Sequence, residues 1–262
     1  AAREGLWFHV DAAYGGAARL SARDASRVPG LELADSVTVD PHKWFFQAYD
    51  LGALVVRDGD HLRQTFDRSP EYYRGGETAP PGPGALSNPG AQPRPLVAES
   101  APDDAGDHDP HDAHAGQLNF YKLGFEGTRR FRALKLWASW KHLGTSGFGR
   151  LIESNDDVAA HLAARCAESD DLEALPAVPE LSVVCFRHLP GGAAAASSMD
   201  PRELDDHQDR LCAALELDGD GWLSTTTLRG RTWLRAGIVN YLTTEADIDR
   251  LLATLRRLAA TL

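Results

Sequence analysis

The sequence predicts an α/β fold in two parts, and three observations carry that prediction. Near the start, Leu6-Trp7-Phe8-His9-Val10-Asp11, Ser36-Val37-Thr38-Val39-Asp40 and Gly52-Ala53-Leu54-Val55-Val56 are apolar or alternating runs bounded by turn residues, as expected of strands in one mixed sheet. In the middle, residues 126–143 and 148–168 carry apolar side chains at helical spacing. From about Leu172 the rhythm returns to strands, over 181–187, 223–227 and 232–239, alternating with helices over 201–216 and 244–261. That order predicts a compact antiparallel sheet with helices on one face.

The first strand ends on an acid. Asp11 is followed by Ala12-Ala13-Tyr14-Gly15-Gly16, small residues that leave room for a flat ring. A carboxylate at the end of a buried strand needs a cation or several donors to stay ionised. The ring nitrogen of pyridoxal phosphate is such a cation, and an aspartate is its usual partner. The second strand ends on a lysine, in Asp40-Pro41-His42-Lys43-Trp44. Amines attack carbonyls only when neutral, so Lys43, beside Trp44, Phe45 and Phe46, reads as a candidate Schiff-base nucleophile in a dry pocket. The plainer reading is a strand-end lysine with its head in solvent. The third strand is apolar enough to be buried on both faces, and residues 19–28 form a polar connection of weak helical character.

Together, His9-Val10-Asp11-Ala12-Ala13-Tyr14-Gly15-Gly16 and Asp40-Pro41-His42-Lys43-Trp44 resemble the signature of the group II pyridoxal-phosphate-dependent amino acid decarboxylases, the aromatic-L-amino-acid and glutamate decarboxylase family. The resemblance extends through Arg129–Trp137 and Leu234–Asn240. It implies the C-terminal part of a fold-type I large domain over 1–150, with an irregular insertion at 77–116, and a small C-terminal α/β domain over 151–262. It further implies that Lys43 carries the cofactor, Asp11 pairs with the ring nitrogen, Ala13 packs on one ring face, and Asp40 and His42 lie near the cofactor. Asp40 departs from the asparagine often found beside the phosphate, so its charge has to be bonded elsewhere.

Beyond the third strand, Pro70-Glu71-Tyr72-Tyr73-Arg74-Gly75-Gly76 reads as a loop with glycine hinges. The resemblance assigns Tyr72 the proton that replaces carbon dioxide, which favours decarboxylation to an amine over oxygen-dependent aldehyde formation. The alternative is a pair of exposed tyrosines packing on a neighbour. Residues 78–116 are rich in Pro, Gly, Asp and Ala. His108, His111 and His114 there, interleaved with Asp107, Asp109 and Asp112, read as a solvated acidic loop and not a metal site, because no helix presents them on one face. Arg235, inside an apolar strand, is a candidate clamp for a substrate carboxylate or one half of a structural salt bridge.

Composition narrows the function classes. The 262 residues hold 27 basic and 38 acidic side chains, a net charge of −11, which argues against nucleic acid. No run of about 18 apolar residues suggests a membrane span. Cys166, Cys185 and Cys212 are odd in number and widely separated, as expected of reduced thiols in a cytoplasmic protein. The one methionine is Met199, and no signal peptide is visible. What the resemblance implies is a decarboxylase acting on an aromatic or related amino acid, completed by a complementary N-terminal-half polypeptide and a dimer mate. An aldehyde synthase or lyase on the same scaffold, or a non-catalytic assembly subunit, are the other outcomes.

Overall fold

A computed structural model describes residues 1–66 and 120–262. The chain divides into two compact units, Ala1–Arg57 with Phe131–Leu262, and Asp58–Arg130. Of the second unit, the described residues contain helix α1 (Asp60–Phe66) and a 3-10 turn (Phe120–Leu123). Tyr72 and the His108, His111 and His114 cluster lie outside the described residues.

The first unit holds two sheets. In the first, β1 (His9–Asp11) runs parallel to β2 (Ser36–Val39), and β2 pairs antiparallel with β3 (Ala53–Val56). Asp11 stands opposite Thr38 and Val39 opposite Ala53. The pairing continues past β1, with Ala12 N–H donating to Thr38 O and Asp40 N–H to Ala13 O at 3.1 Å, so the turns that follow both strands are tied together. β3 differs from the expectation of burial on both faces, since Leu54 is 55% and Val55 59% exposed. Among the described residues it is an edge strand, paired with β2 alone, and its apolar side chains meet no described element of the first unit deeply enough to be buried.

The second sheet has the order β4 (Leu172–Leu175), β5 (Val183–His188), β7 (Arg231–Gly237), β6 (Ser224–Leu228), antiparallel throughout. Helices α2 (Ala133–Ala167), α4 (Pro201–Asp218) and α5 (Glu245–Ala259) supply Leu162, Leu211, Leu215, Leu252 and Leu255 to one core with Val184, Phe186 and Leu234 of the strands. A five-residue helix, α3 (Gly192–Ala196), follows β5. The sequence chemistry explains the helix ends. Asp200 caps α4 by accepting the Arg202 N–H at 2.7 Å, with Pro201 in the first turn and Gly219 closing the helix at φ 86°. Thr244 and Asp247 form a capping box at the start of α5.

Helix α2 kinks at Gly144, whose φ of 64° and ψ of 176° no side-chain-bearing residue adopts without strain. The break thus lies where the sequence pattern puts it, but the first helix begins at Ala133 and not near Glu126. Gly124 and Gly127 interrupt the segment before it, and the Arg132 side chain makes no cap. The polar connection after β1 is a series of 3-10 turns, Gly15–Leu20 and Ala25–Arg27, against which α2 lies closely. A β-carbon at Gly149 would stand 2.5 Å from Leu20 O, so only glycine permits that approach.

Candidate active site at two strand ends

Asp11 and Lys43 leave the carboxyl ends of neighbouring parallel strands, the place where α/β sheets present groups to a ligand. The Asp11 carboxylate is exposed, not buried as its strand suggests, because among the described residues β1 is the sheet's other edge. One oxygen accepts the Ala13 N–H at 3.0 Å, and among the described residues the other has no partner. Ala12 is buried and packs on Gly16, where a β-carbon would come within 3.0 Å of Ala12 Cβ.

Lys43 is also less enclosed than a dry pocket requires, with 41% of its side chain exposed. Its Nζ lies 2.9 Å from Asp40 Oδ2, and the Lys43 N–H donates to Asp40 O at 2.8 Å. This answers where the Asp40 charge goes: onto the lysine three residues ahead. His42 Nε2 lies 3.8 Å from the same Asp40 oxygen. Because its Nδ1 is 2.7 Å from Leu51 O, a group that only accepts, the ring carries its proton on Nδ1. The His42 ring also stacks on Tyr49 at 4.4 Å.

The residue after Lys43 does something the sequence pattern does not reveal. Trp44 turns away from the lysine into the interior, is fully buried, and stacks on Tyr14 with ring centroids 4.8 Å apart and planes 11° from parallel. Trp44 Nε1 donates to Asn155 Oδ1 at 3.1 Å, and Asn155 Nδ2 donates to Asn240 O at 3.0 Å. Tyr14 Oη and Ser182 Oγ are 2.6 Å apart, and burial pushes the Tyr14 hydroxyl up to about 12. The pair thus joins the turn after Asp11 to the turn holding Lys43, and Asn155 and Ser182 hold it from behind. The next turn is strained, with Phe46 at φ 57° and packed edge-on against Tyr241 at 5.8 Å.

Asn155 was missed in the sequence, though a signal exists. It shares a helix face with Ile152, Ala159 and Leu162, all fully buried, and a polar residue on an apolar face needs a partner. Arg235 is brought to the same region. It is exposed on β7, opposite Cys185, and its charge acts on the Tyr14 hydroxyl. No described residue makes the salt bridge that was its structural alternative.

An unpaired carboxylate oxygen at one strand end, an amine at the next and alanines between them fit the ring and the aldehyde of pyridoxal. The chain matches the profile described as the pyridoxal-dependent decarboxylase conserved domain over residues 1–78 and 110–189. It belongs to that family. It is 29% identical over 256 residues to an aromatic-L-amino-acid decarboxylase of Bacillus atrophaeus, covering 98% of this chain and 45% of that protein. It is 30% identical over 252 residues to an L-2,4-diaminobutyrate decarboxylase of Rhizobium meliloti, covering 96% of this chain and 42% of that one. The crystal structure of Oryza sativa TDC with PLP and tryptamine superimposes with a TM-score of 0.75 at 26% identity, over 99% of this chain and 46% of that chain. The chain spans about half the length of the relatives it matches. The architecture is that of these enzymes, a mixed α/β part and a small α/β part. Among the described residues no helix is long and apolar enough to cross a membrane, and Cys166, Cys185 and Cys212 are free thiols.

Proposed function

We propose that this chain supplies the lysine-bearing part of a pyridoxal-phosphate-dependent enzyme that decarboxylates an L-amino acid to its amine. The observation that carries the reading is the exit of Asp11 and Lys43 from adjacent parallel strands whose following turns are bonded to each other through Asp40 N–H and Ala13 O at 3.1 Å. When bound, the cofactor supplies a conjugated ring that accepts the electron pair left behind by carbon dioxide.

The chain's residues then take separate tasks. Asp11 would use its unpaired oxygen to keep a proton on the ring nitrogen, and Lys43 would hold the cofactor through its amine. Ala13 leaves a flat surface for the ring. Asp40 receives the Lys43 ammonium whenever the lysine is free, so it fixes the amine near its working place. His42 stands behind that carboxylate. Arg235 grips the substrate carboxylate with its planar fork, a role supported by the absence of any other ion pair for it among the described residues. Tyr72 is the group proposed to return a proton to the α-carbon.

The substrate we favour is an aromatic or similarly bulky amino acid, with the Bacillus relative as support. We further propose that a complementary N-terminal-half polypeptide completes the first sheet along the free edge of β1, and that the assembly is a cytoplasmic dimer. Trp7, 51% exposed, and Phe8 beside that edge, with Leu54 and Val55 on β3, support a covered surface.

Carbon dioxide and amine should form in equal amounts from the assembled protein with pyridoxal phosphate and an aromatic amino acid, and Lys43→Ala should abolish both. Peroxide and ammonia appearing instead of amine would establish the aldehyde synthase outcome. Failure to turn over any amino acid, with the companion polypeptide shown present by intact mass, would leave a scaffold.

A further inference from the structure

The Pro, Gly and Ala-rich stretch over residues 190–198 has no task in the reading above. In the structure it walls a cleft of about 500 Å³, lined by Leu172 of β4, Arg187 of β5, Ala193 and Ala196 of α3, Leu204 of α4 and Arg231 of β7. None of these residues belongs to the Asp11 and Lys43 strand ends.

Arg187 is unusual in its surroundings. It is 5% exposed, and its guanidinium lies over the Trp233 ring, 5.3 Å from the centroid. Nη2 donates to Asp205 Oδ1 at 3.2 Å, while Nε is buried without any partner. Asp205 is not reserved for it. The same Oδ1 accepts from Arg231 Nε at 3.2 Å and from the Thr232 N–H at 3.0 Å. Two guanidiniums therefore share one carboxylate, and one positive charge is left over. Glu173, opposite Arg187 in the strand register, lines the cleft too, but it is exposed and its pull is weakened by solvent. Burial and the neighbouring Arg231 charge both hold Arg187 below the usual arginine range.

A buried arginine with an unpartnered Nε that lines a cleft is suited to a carboxylate. The aliphatic lining from Leu172, Ala196 and Leu204 suits an apolar body. We propose that this cleft is a second ligand site, built for a small carboxylate carried on an apolar body such as an arylalkanoate. The ligand brings the negative charge that Asp205 divides between two arginines. Its occupation stabilises the β4 to β7 sheet by mass action.

The test is titration calorimetry on the full chain, with any companion polypeptide that purifies with it, using 3-phenylpropanoate and, for contrast, 3-phenylpropylamine. The carboxylate should bind saturably and the amine should not. Arg187→Met, which leaves Asp205 paired with Arg231, should weaken binding at least about tenfold. Ala193→Trp, a change at an exposed position that fills the cleft and alters no charge, should do the same. Lys43→Ala should bind as the parent does. The proposal is overturned by absence of saturable carboxylate binding, by equal binding of the amine, by parental affinity in either cleft variant, or by loss of binding in Lys43→Ala, which would place the ligand at the other site.

Discussion

Tyr14 and Trp44 lie face to face, 4.8 Å apart and nearly parallel, and each sits beside a residue on which the proposed chemistry depends. Tyr14 ends the turn that begins at Asp11, and Trp44 follows Lys43. The stack joins the turns that follow two strand ends through a tryptophan that is fully buried. Trp44→Phe keeps a ring but loses the bond to Asn155, and should destabilise the first unit by about 1–2 kcal/mol. Trp44→Ala, which opens a cavity at a fully buried site, should cost about 3–5 kcal/mol. Urea denaturation followed by circular dichroism measures both, and equal midpoints for the two variants would show that the stack holds nothing.

Asp40→Asn separates the Asp40 contact from the fold. The Lys43 pair is partly exposed, 41% on the lysine side and 20% on the aspartate side, so its loss should change stability by less than about 1 kcal/mol. The lysine loses its carboxylate partner, and an anion is removed from the place the resemblance puts beside the cofactor phosphate. Cofactor affinity should therefore rise, read as the concentration of pyridoxal phosphate that half-saturates the visible absorbance. Weaker affinity would mean that Asp40 helps hold the cofactor.

Gly149→Ala should be poorly tolerated. The added carbon would lie 2.5 Å from Leu20 O, a backbone atom that cannot swing aside. A loss of about 1–3 kcal/mol is expected, measured as the shift in urea midpoint. A midpoint unchanged within error would mean that α2 moves freely against the 3-10 segment.

Asp156 predicts a pH effect. It is buried on α2 beside Asp24, and burial, the negative charge of Asp24 and the hydrogen bond between the two carboxyl groups push it up to about 7, with Arg27 and Arg23 pulling the other way. An acid raised on folding binds its proton more tightly in the folded chain, so stability falls as pH climbs from about 4 to about 7 and then levels. Asp156→Asn should remove that decline and stabilise the protein at pH 8 by up to about 4 kcal/mol, with little change at pH 4. Thermal denaturation at both pH values measures it, and the same increment at both would contradict the assignment.

Much of this was legible because it is local. Alternation and turn residues mark the strands that end at Asp11 and Asp40, and Gly144 breaks α2 where the helical rhythm stops. Three strands of the small sheet follow the same logic, while β4 (Leu172–Leu175) is too short to stand out by alternation. The partners across long separations were not legible. Trp44 reads as a wall for Lys43 in sequence, and only the position of Asn155 explains why it points the other way. Asp40 is a local contact that went unassigned, because a turn bringing residue i to residue i+3 is not fixed by composition. The apolarity of Leu54 and Val55 marks them for burial, but the edge position of β3 exposes them on this chain.

The central claim is that Asp11 and Lys43 serve one ring, and borohydride reduction of the assembled protein with pyridoxal phosphate tests it most directly. The account predicts one pyridoxyl adduct per chain on the peptide containing Lys43, with visible absorbance that bleaches on reduction, and a loss of that absorbance band in Asp11→Asn. An adduct on another lysine, no adduct at all, or an Asp11→Asn protein whose spectrum matches the parent would contradict it.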